Sequence, residues 1–404
     1  MAQAIISRKG GSGGEATITF DNANSNVFFS NSNAELSELK TSIVATTVGD
    51  YALFAGGEMS GNVCSSIVDA YNTSLTRTTP TALSVGRYSL AATTVGDYAL
   101  FGGGYGSSYQ SAVDAYNTSL TRSTPTSLSV ARSNLAATTV GDYALFGGGY
   151  SSSFQYYSTV DAYNTSLTRT TPTALSQARE RTATTTVGDY ALFGGGYVNA
   201  SPYYLSTVDA YNTSLTRTTP TALSVGRYLF AATTVGDCAL FGGGYSSSGV
   251  SVATVDAYNT SLTHSTTTAL SVGRYSLAAT AVGGYALFAG GKNGSDNSYP
   301  LPVDAYNNNL IRSTPTELIP GRMIGMSSTT VGDYALFGGG SKGSLSECYD
   351  IVNAFQIKSK VFVYPGTKYK FGSMASEETS ATMQELTFTP PITGYIKIKD
   401  ATIN

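Results

Sequence analysis

The chain has 404 residues, a formal net charge of −3 and only 12% charged side chains. This balance provides no basic field that would attract nucleic acid or an anionic membrane surface. The first residues lack the apolar core of a secretion signal, and no apolar run is long enough for a transmembrane helix, so we expect neither.

The chain begins with a Gly-rich lead and a short β segment, which we place at residues 1–26. Residues 34–40 (AELSELK) then align without gaps on the segment TALSVGR found further along the chain, so that Leu36 matches Leu83 and Lys40 matches Arg87. This match predicts that the chain enters a repeated structure at the last strand of a unit rather than at the first.

The block VGDYALF dominates the chain from there on. It recurs, with small changes, with its valine at positions 48, 95, 140, 187, 235, 282 and 331, at intervals of 45 to 49 residues. A fixed period of this length indicates units that cannot bury their own faces and must stack on their neighbours. The sequence therefore predicts one repeat domain of seven units, at residues 27–357.

Each unit contains four short strand-like runs. In the second copy they are LAATTV from Leu90, YALF from Tyr98, VDAY from Val113 and a run of about Leu120–Leu128 that contains Pro125. Gly96-Asp97 between the first two runs is typical of a two-residue hairpin turn, and proline is tolerated only in an edge strand. We expect an all-β fold built from four-stranded antiparallel blades.

The repeat resembles the kelch repeat. The matching features are the basic residue before the first strand (Arg87), the diglycine that ends the second (Gly102-Gly103) and the tyrosine of the third (Tyr116). The resemblance implies a seven-bladed β-propeller and no particular activity. The chain departs from the kelch pattern because it has no tryptophan, so we expect the Phe of YALF to pack between blades instead.

The two ends of the repeat predict how the ring closes. The seventh copy supplies three strands, and residues 27–37 supply the missing fourth, beside residues 352–356. Closure of this kind removes both exposed sheet edges. Residues 358–404 lose the repeat, gain lysines and alternate like strands. We expect them to form a small C-terminal β module that could attach the propeller to a larger assembly, or else loosely packed edge strands.

The segments between the second and third strands differ in every copy, whereas the turns at the opposite end of the blades are nearly identical. The differing segments are rich in Tyr, Ser, Gly and Asn, which is the composition of antibody paratopes and also suits sugar rings. Loop drift after duplication is the alternative explanation. The candidate ligand-binding residues are Tyr105, Tyr109, Tyr150, Phe154, Tyr156, Tyr157, Tyr197, Tyr203, Tyr204 and Tyr245.

A basic residue precedes the first strand of every unit. Besides Lys40, these residues are Arg87, Arg132, Arg179, Arg227, Arg274 and Arg322. They could form an anion-binding mouth, but a structural ring is favoured, in which each cation pairs with a third-strand aspartate (Asp69, Asp114, Asp161, Asp209, Asp256 or Asp304).

The sequence gives little support to catalysis. His264, the one histidine, stands where most copies have arginine, and the acids that do not recur, such as Glu58, Glu180 and Glu317, sit in separate copies. Cys64, Cys238 and Cys348 are scattered, so neither a disulfide framework nor a metal site follows.

We therefore expect a non-enzymatic protein without cofactors, whose partner is a glycan or a surface protein, borne on a phage tail or another virion. An intracellular scaffold for protein partners and a purely structural spacer are the alternatives. The sequence does not fix the location; a virion or the cytoplasm fits, with extracellular exposure after lysis.

Overall fold

The computed structural model of the chain describes residues 16–18, 27–152, 154–294, 302–315, 317–319, 323–363, 368–370, 378–379, 384–388 and 396–399. The chain divides into two compact units. One comprises residues 31–354, and the other comprises residues 1–30 together with 355–404. Within the described residues, no helix is long and apolar enough to cross a membrane.

The larger unit is a seven-bladed β-propeller, as the repeat predicts. The first strand of each blade lies at the centre, where it contacts the first strands of both neighbouring blades. These strands, for blades 1 to 7, are Val44–Val48, Ala91–Val95, Ala136–Val140, Ala183–Val187, Ala231–Val235, Ala278–Val282 and Ser327–Val331.

A two-residue turn joins each first strand to the second. In blade 2, Val95 pairs with Tyr98 across Gly96-Asp97, and Gly96 takes a φ of +50°. Glycine adopts this left-handed conformation without steric cost, which confirms the predicted hairpin. The second strands are Tyr51–Ala55, Tyr98–Gly102, Tyr143–Gly147, Tyr190–Gly194, Cys238–Gly242, Tyr285–Ala289 and Tyr334–Gly338.

The third and fourth strands complete each sheet towards the outside. The third strands are Val68–Asn72, Val113–Asn117, Val160–Asn164, Val208–Asn212, Val255–Asn259, Asp304–Asn307 and Ile351–Val363. The fourth strands of blades 1 to 6 are Arg77–Thr78, Arg122–Ser123, Arg169–Thr170, Arg217–Thr218, His264–Thr267 and Arg312–Ser313.

The fourth strand is shorter than the sequence predicts. In blade 2 it contains only Arg122 and Ser123, whereas the expected run reached Leu128. Pro125 cannot donate to the ladder, so pairing stops before it. The chain then crosses towards blade 3, where the Tyr163 hydroxyl donates to the carbonyl of Thr126 at 2.7 Å and Leu128 is buried between the two blades.

The phenylalanine of YALF packs between blades, as expected. Phe146 of blade 3 lies in the same core cluster as Leu100 of blade 2, and its ring sits so close to Gly102 that a Cβ there would be 2.9 Å from it. Within its own blade, Phe146 meets Tyr163 edge-on at 5.9 Å. Phenylalanine thus fills the space between neighbouring sheets in a chain without tryptophan.

The N-terminal strand closes the ring, as predicted. Val27–Glu35 is the outermost strand of the seventh blade, next to Ile351–Val363. Just after this strand, the Leu36 amide donates to the carbonyl of Asp350 at 2.6 Å. Leu36 is buried, as are its counterparts Leu83 and Leu128.

The smaller unit contains a four-stranded sheet with strands from both tails, in the order Ala16–Ile18, Ile396–Lys399, Lys368–Lys370 and Glu378–Thr379. A further strand, Gln384–Phe388, pairs with residues 359–363. Pairing of Ala16–Ile18 with Ile396–Lys399 brings the two tails into one sheet.

Candidate functional site

The segments that differ between blades meet at one face of the propeller, which we call the variable face. There the residue after each buried cation, or after Met323 in blade 7, pairs with the residue after the glycines of the second strand, as Tyr88 does with Tyr105. Short strand pairs and one 3₁₀ helix shape this face: Glu58–Met59, Val63–Cys64, Tyr150–Ser151, Gln155–Tyr156, Arg227–Tyr228, Tyr245–Ser246 and Leu345–Glu347.

Two glycines turn the chain onto this face. Gly103 and Gly104 of blade 2 have φ values of +68° and +106°, and a Cβ on Gly103 would lie 2.7 Å from the carbonyl oxygen of Arg132. The amide of Gly104 donates to that same carbonyl at 2.9 Å. Close backbone approach and left-handed φ both require glycine here, so every variable segment leaves its blade from the same anchor.

Ten tyrosines form a continuous band on the variable face, which we call the tyrosine arc. Each touches the next, with ring centroids 5.0 to 6.4 Å apart and mostly edge-to-face or tilted. Contacts of this geometry are favourable for aromatic rings. The arc runs over blades 2 to 6 and comprises Tyr88, Tyr105, Tyr109, Tyr150, Tyr156, Tyr197, Tyr204, Tyr228, Tyr245 and Tyr275.

The arc includes most, but not all, of the sequence-predicted binding residues. Phe154 and Tyr203 are the exposed ones, at 69% and 49%, and stand outside the arc on its rim. The hydroxyl of Tyr157 lies 3.0 Å from that of Ser151, within its own loop. The seven that lie in the arc are Tyr105, Tyr109, Tyr150, Tyr156, Tyr197, Tyr204 and Tyr245.

Sequence reasoning missed three members of the arc. Tyr88, Tyr228 and Tyr275 belong to the connections between blades and not to the long variable segments. A signal was present, because each directly follows a ring cation and is the position that pairs with the start of the variable segment.

The ring of cations is structural in the blades that the structure describes. Arg87 donates to the Asp114 carboxylate at 2.7 Å and to the carbonyl of Phe101 at 3.1 Å, and both charged residues are fully buried. The same pair recurs as Arg132–Asp161, Arg179–Asp209, Arg227–Asp256 and Arg274–Asp304, at 2.6 to 2.8 Å, and Lys40–Asp69 follows at 3.2 Å. Blade 7 departs from the predicted ring, because the buried Met323 and not Arg322, which lies outside the described residues, holds the ring position: the Met323 carbonyl accepts the Gly291 amide as the Arg87 carbonyl accepts the Gly57 amide, and Asn353 replaces the aspartate. These cations are therefore not free to bind an anion at the mouth.

Each aspartate of the ring receives a second group from the fourth strand. Arg122 donates to Asp114 at 3.0 Å, and in blade 5 Nε2 of His264 lies 2.7 Å from Asp256. His264 therefore serves the structural role of the arginine found in sister blades. Among the described residues, no group of three or more His, Cys, Asp or Glu side chains could hold a metal ion.

A polar channel opens at the centre of the propeller. Its cavity of about 520 Å³ is lined by first-strand threonines and a few alanines from all seven blades. At the variable face, the residues around its mouth all have left-handed φ values between +50° and +67°: Ser42, Ser89, Asn134, Arg181, Leu229, Ser276 and Gly325. Several link head to tail, as when the Asn134 amide donates to the Ser89 carbonyl at 2.9 Å.

Threonine hydroxyls join neighbouring blades around the channel. The Thr94 hydroxyl of blade 2 lies 2.8 Å from that of Thr46 in blade 1, and it donates to the Thr47 carbonyl at 2.5 Å. Equivalent bonds join blades 2–3, 3–4, 4–5 and 7–1. Blade 6 has Ala281 at the donor position, so the bond to blade 5 is missing.

The opposite face is uniform for structural reasons. In blade 2 the Asn117 side chain accepts the amides of Ser119 and Thr121 at 3.0 and 2.9 Å, while Leu120 has a φ of +60°. Thr118 packs against Gly49 of the neighbouring blade. Identity of these turns follows from local geometry, so the contrast between the faces does not by itself distinguish selection from drift. The tyrosine arc is the stronger indication of binding.

Comparison with known proteins supports the fold alone. No protein-family model and no curated protein matches the chain. Among 546 similar solved chains is the structure of a protein called YjhT. It superposes with a TM-score of 0.54 at 13% identity, over 70% of this chain and 99% of that one.

Proposed function

We propose that this protein is a non-enzymatic propeller of the kelch type that binds a glycan through the tyrosine arc. The observation that carries the proposal is the arc itself, an unbroken run of ring contacts across five consecutive blades. Duplication accounts for the tyrosine that follows the glycines in blades 2 to 5, but Tyr109, Tyr156 and Tyr204 come from segments that differ in every blade and still contact it.

The chemistry of the arc favours sugars among ligands. Tyrosine rings offer apolar faces to the C–H groups of a pyranose, and their hydroxyls donate and accept hydrogen bonds. A tyrosine hydroxyl is protonated at neutral pH and can donate; at Tyr156 burial, and next the charge of Glu180, raises the pKa further, to about 12. Ser89 and Asn134, which precede the first strands of blades 2 and 3, add further polar groups at this end of the blades.

A binding role without catalysis or cofactor agrees with how the ionisable groups are used. The buried acids of the ring are each held by two partners, and His264 is one of these partners. A general acid or base must be able to reach a substrate proton, which such groups cannot do.

We further propose that the smaller unit attaches the propeller to a larger assembly, such as a phage tail or another virion. The support is that residues from both tails of the chain share one sheet, separate from the blades. Labelling of purified virions, to detect whether they carry the protein, would test this part separately.

The binding proposal is tested by comparing two variants on a glycan array and on whole bacterial cells. In the first, Tyr156→Ser and Tyr204→Ser remove rings from the arc. In the second, Phe154→Ser and Tyr203→Ser remove exposed aromatic groups of the same face that lie outside it. We expect the natural protein and the second variant to bind and the first to lose binding at least tenfold, while both variants keep a cooperative thermal unfolding transition.

Two outcomes would contradict the proposal. Equal losses in both variants would show that the arc is not the contact surface. Absence of binding by the natural protein to every glycan and cell, combined with specific capture of a protein from lysate, would favour the intracellular scaffold, and no binding of any kind would favour a structural spacer.

A further inference from the structure

One residue of the variable face carries a charge that the equivalent residues of the other blades lack. The position after the ring cation, or after Met323 in blade 7, is held in the seven blades by Thr41, Tyr88, Ser133, Glu180, Tyr228, Tyr275 and Ile324. Glu180 is the acid among them, and it lies in blade 4, at the middle of the tyrosine arc. Its backbone pairs with that of Tyr197, at 3.0 and 2.9 Å.

Glu180 is a buried acid without a cation in contact. It is 8% exposed, and its Oε2 accepts a hydrogen bond from the Asn134 side chain at 2.8 Å. No described Lys or Arg side chain comes within salt-bridge distance, and Arg181 is exposed with its guanidinium 5.9 Å from the Tyr228 ring. The ring aspartates, by contrast, each have a buried cation.

Burial of the Glu180 carboxylate costs free energy that the surrounding protein does not fully offset. Desolvation raises the pKa of Glu180 above its ordinary value, although Arg181 and the Asn134 hydrogen bond act in the opposite direction. A buried carboxylate without a cation is an uncompensated charge, which a well-placed cation with hydrogen bonds to the carboxylate can offset. Oε1 accepts no hydrogen bond from the described part of the chain, and it is not fully buried.

The groups around Glu180 are aromatic. The antiparallel bridge between Glu180 and Tyr197 sets their side chains directly opposite each other, on the same side of the strand pair. Tyr156 contacts Tyr197, with ring centroids 6.2 Å apart. An acid among aromatic rings suits an ammonium group, which is attracted both by the carboxylate and by the ring faces.

We propose that Glu180 forms an ammonium subsite at the centre of the tyrosine arc, and that the ligand is a glycan with an unsubstituted amino group. The inference rests on the proposed glycan-binding function and specifies its substrate class. The sugar ring lies on the arc tyrosines, and its ammonium donates to the Glu180 carboxylate beside Asn134.

The test compares two probes that differ in charge at one position of each ring: a glucosamine tetramer and an N-acetylglucosamine tetramer. Calorimetric titration is done at a pH where the sugar amine is protonated. We expect the glucosamine tetramer to bind about tenfold more tightly or better, since a desolvated ammonium on an aromatic and anionic site gains on the order of 1.4 kcal/mol or more.

Three variants assign this preference to Glu180. Glu180→Gln keeps the shape and removes the charge, so we expect the preference to disappear while thermal stability is kept or increased. Glu58→Gln, on the same face but outside the arc, should leave the preference unchanged. Arg181→Ser should tighten binding of the glucosamine tetramer severalfold, because a like charge is removed.

The outcomes separate this inference from the function on which it rests. Equal affinity for the two tetramers, or a preference that survives Glu180→Gln, overturns the ammonium subsite. If that equal binding is lost on Tyr156→Ser, Tyr204→Ser substitution, glycan binding by the arc stands. Failure of both tetramers to bind overturns the subsite, and the glycan array then decides the wider proposal.

Discussion

At the scale of single residues, the propeller depends on buried carboxylates that are paired with buried cations. Burial raises the pKa of Asp256, but Arg227, the Ser224 amide and His264 outweigh this effect, so the net pKa is lowered. A carboxylate whose pKa is lower in the folded than in the unfolded state stabilises the fold above the unfolded pKa. That stabilisation is lost as the pH falls through the folded value.

Asp256→Asn should therefore destabilise the protein most near neutral pH, by about 3 to 5 kcal/mol, because it leaves the buried Arg227 without its anion. The difference in unfolding free energy from the natural protein should shrink below about pH 4, where the unfolded carboxyl is protonated. Urea denaturation of both proteins across the acid pH range measures this difference in unfolding free energy. Asp237→Asn, in the exposed Gly-Asp turn of the same blade, is the control; a pH-independent loss in Asp256→Asn would contradict the argument.

At the scale of the blade, the glycines that end the second strand have different tasks. Gly102 faces Phe146 with an ordinary φ, and blades 1 and 6 carry Ala55 and Ala289 at its position. Gly103 combines left-handed φ with a carbonyl at 2.7 Å from its missing Cβ. Side-chain packing therefore limits the residue at Gly102, whereas close approach of the backbone limits the residue at Gly103.

Gly102→Ala should cost about 1 kcal/mol or less, because two blades already accommodate alanine there. Gly103→Ala should cost roughly 3 kcal/mol or more, since strain in φ adds to a backbone clash. Gly61→Ala separates the two causes, since Gly61 has a φ of +81° and open space around it; we expect about 1 kcal/mol. Equal costs at Gly103 and Gly61 in chemical denaturation would show that the clash is relieved cheaply.

The missing hydroxyl in blade 6 gives a second prediction about neighbouring elements. Ala281→Thr should restore the bond to Thr233 and to the Thr234 carbonyl and stabilise the protein by about 1 kcal/mol. Ala281→Val has the same shape without the hydroxyl, so it isolates the hydrogen bond. Valine and threonine variants of equal thermal stability would rule out a contribution from the hydroxyl ring.

At the scale of the whole molecule, closure rests on contacts between residues far apart in sequence. The Leu36 amide bonds to Asp350, whereas its counterpart in blade 3, the Leu175 amide, bonds to Ser158 at 2.8 Å. Both lose the same hydrogen bond on substitution by proline. Only the loss of the bond between Leu36 and Asp350 breaks a contact that closes the ring.

Leu36→Pro should therefore expose blades 7 and 1 to solvent exchange and reduce the cooperativity of unfolding, with a loss of about 3 kcal/mol or more. Leu175→Pro should lose similar local free energy while distant blades keep their protection. Hydrogen exchange followed by mass spectrometry distinguishes the two. Identical, local patterns in both variants would show that the terminal strand does not hold the ring.

Much of the fold could be predicted from the sequence, because the same contacts within a blade and between neighbouring blades recur in each of the seven repeats. Gly96-Asp97 predicted its hairpin, and the phenylalanine of YALF was correctly expected between blades. The length of the fourth strand was wrong because Pro125 interrupts pairing earlier than the apolar pattern indicates.

The site was harder to predict because it depends on residues that come together only in space. Tyr88 and Tyr228 lie in short connections without a distinctive pattern, and the sequence does not show that their rings meet those of the variable segments. Glu180 had no evident partner in sequence, since its partner Asn134 comes from the preceding blade.

The paired glycines and the bridge beside them act as a clamp beneath each variable segment, whose length and composition change while its base does not. Diversification of the variable face is thereby uncoupled from the stability of the ring. A new specificity can arise by exchanging one segment at a time, and the seven clamps make this propeller a natural scaffold for grafted loop libraries.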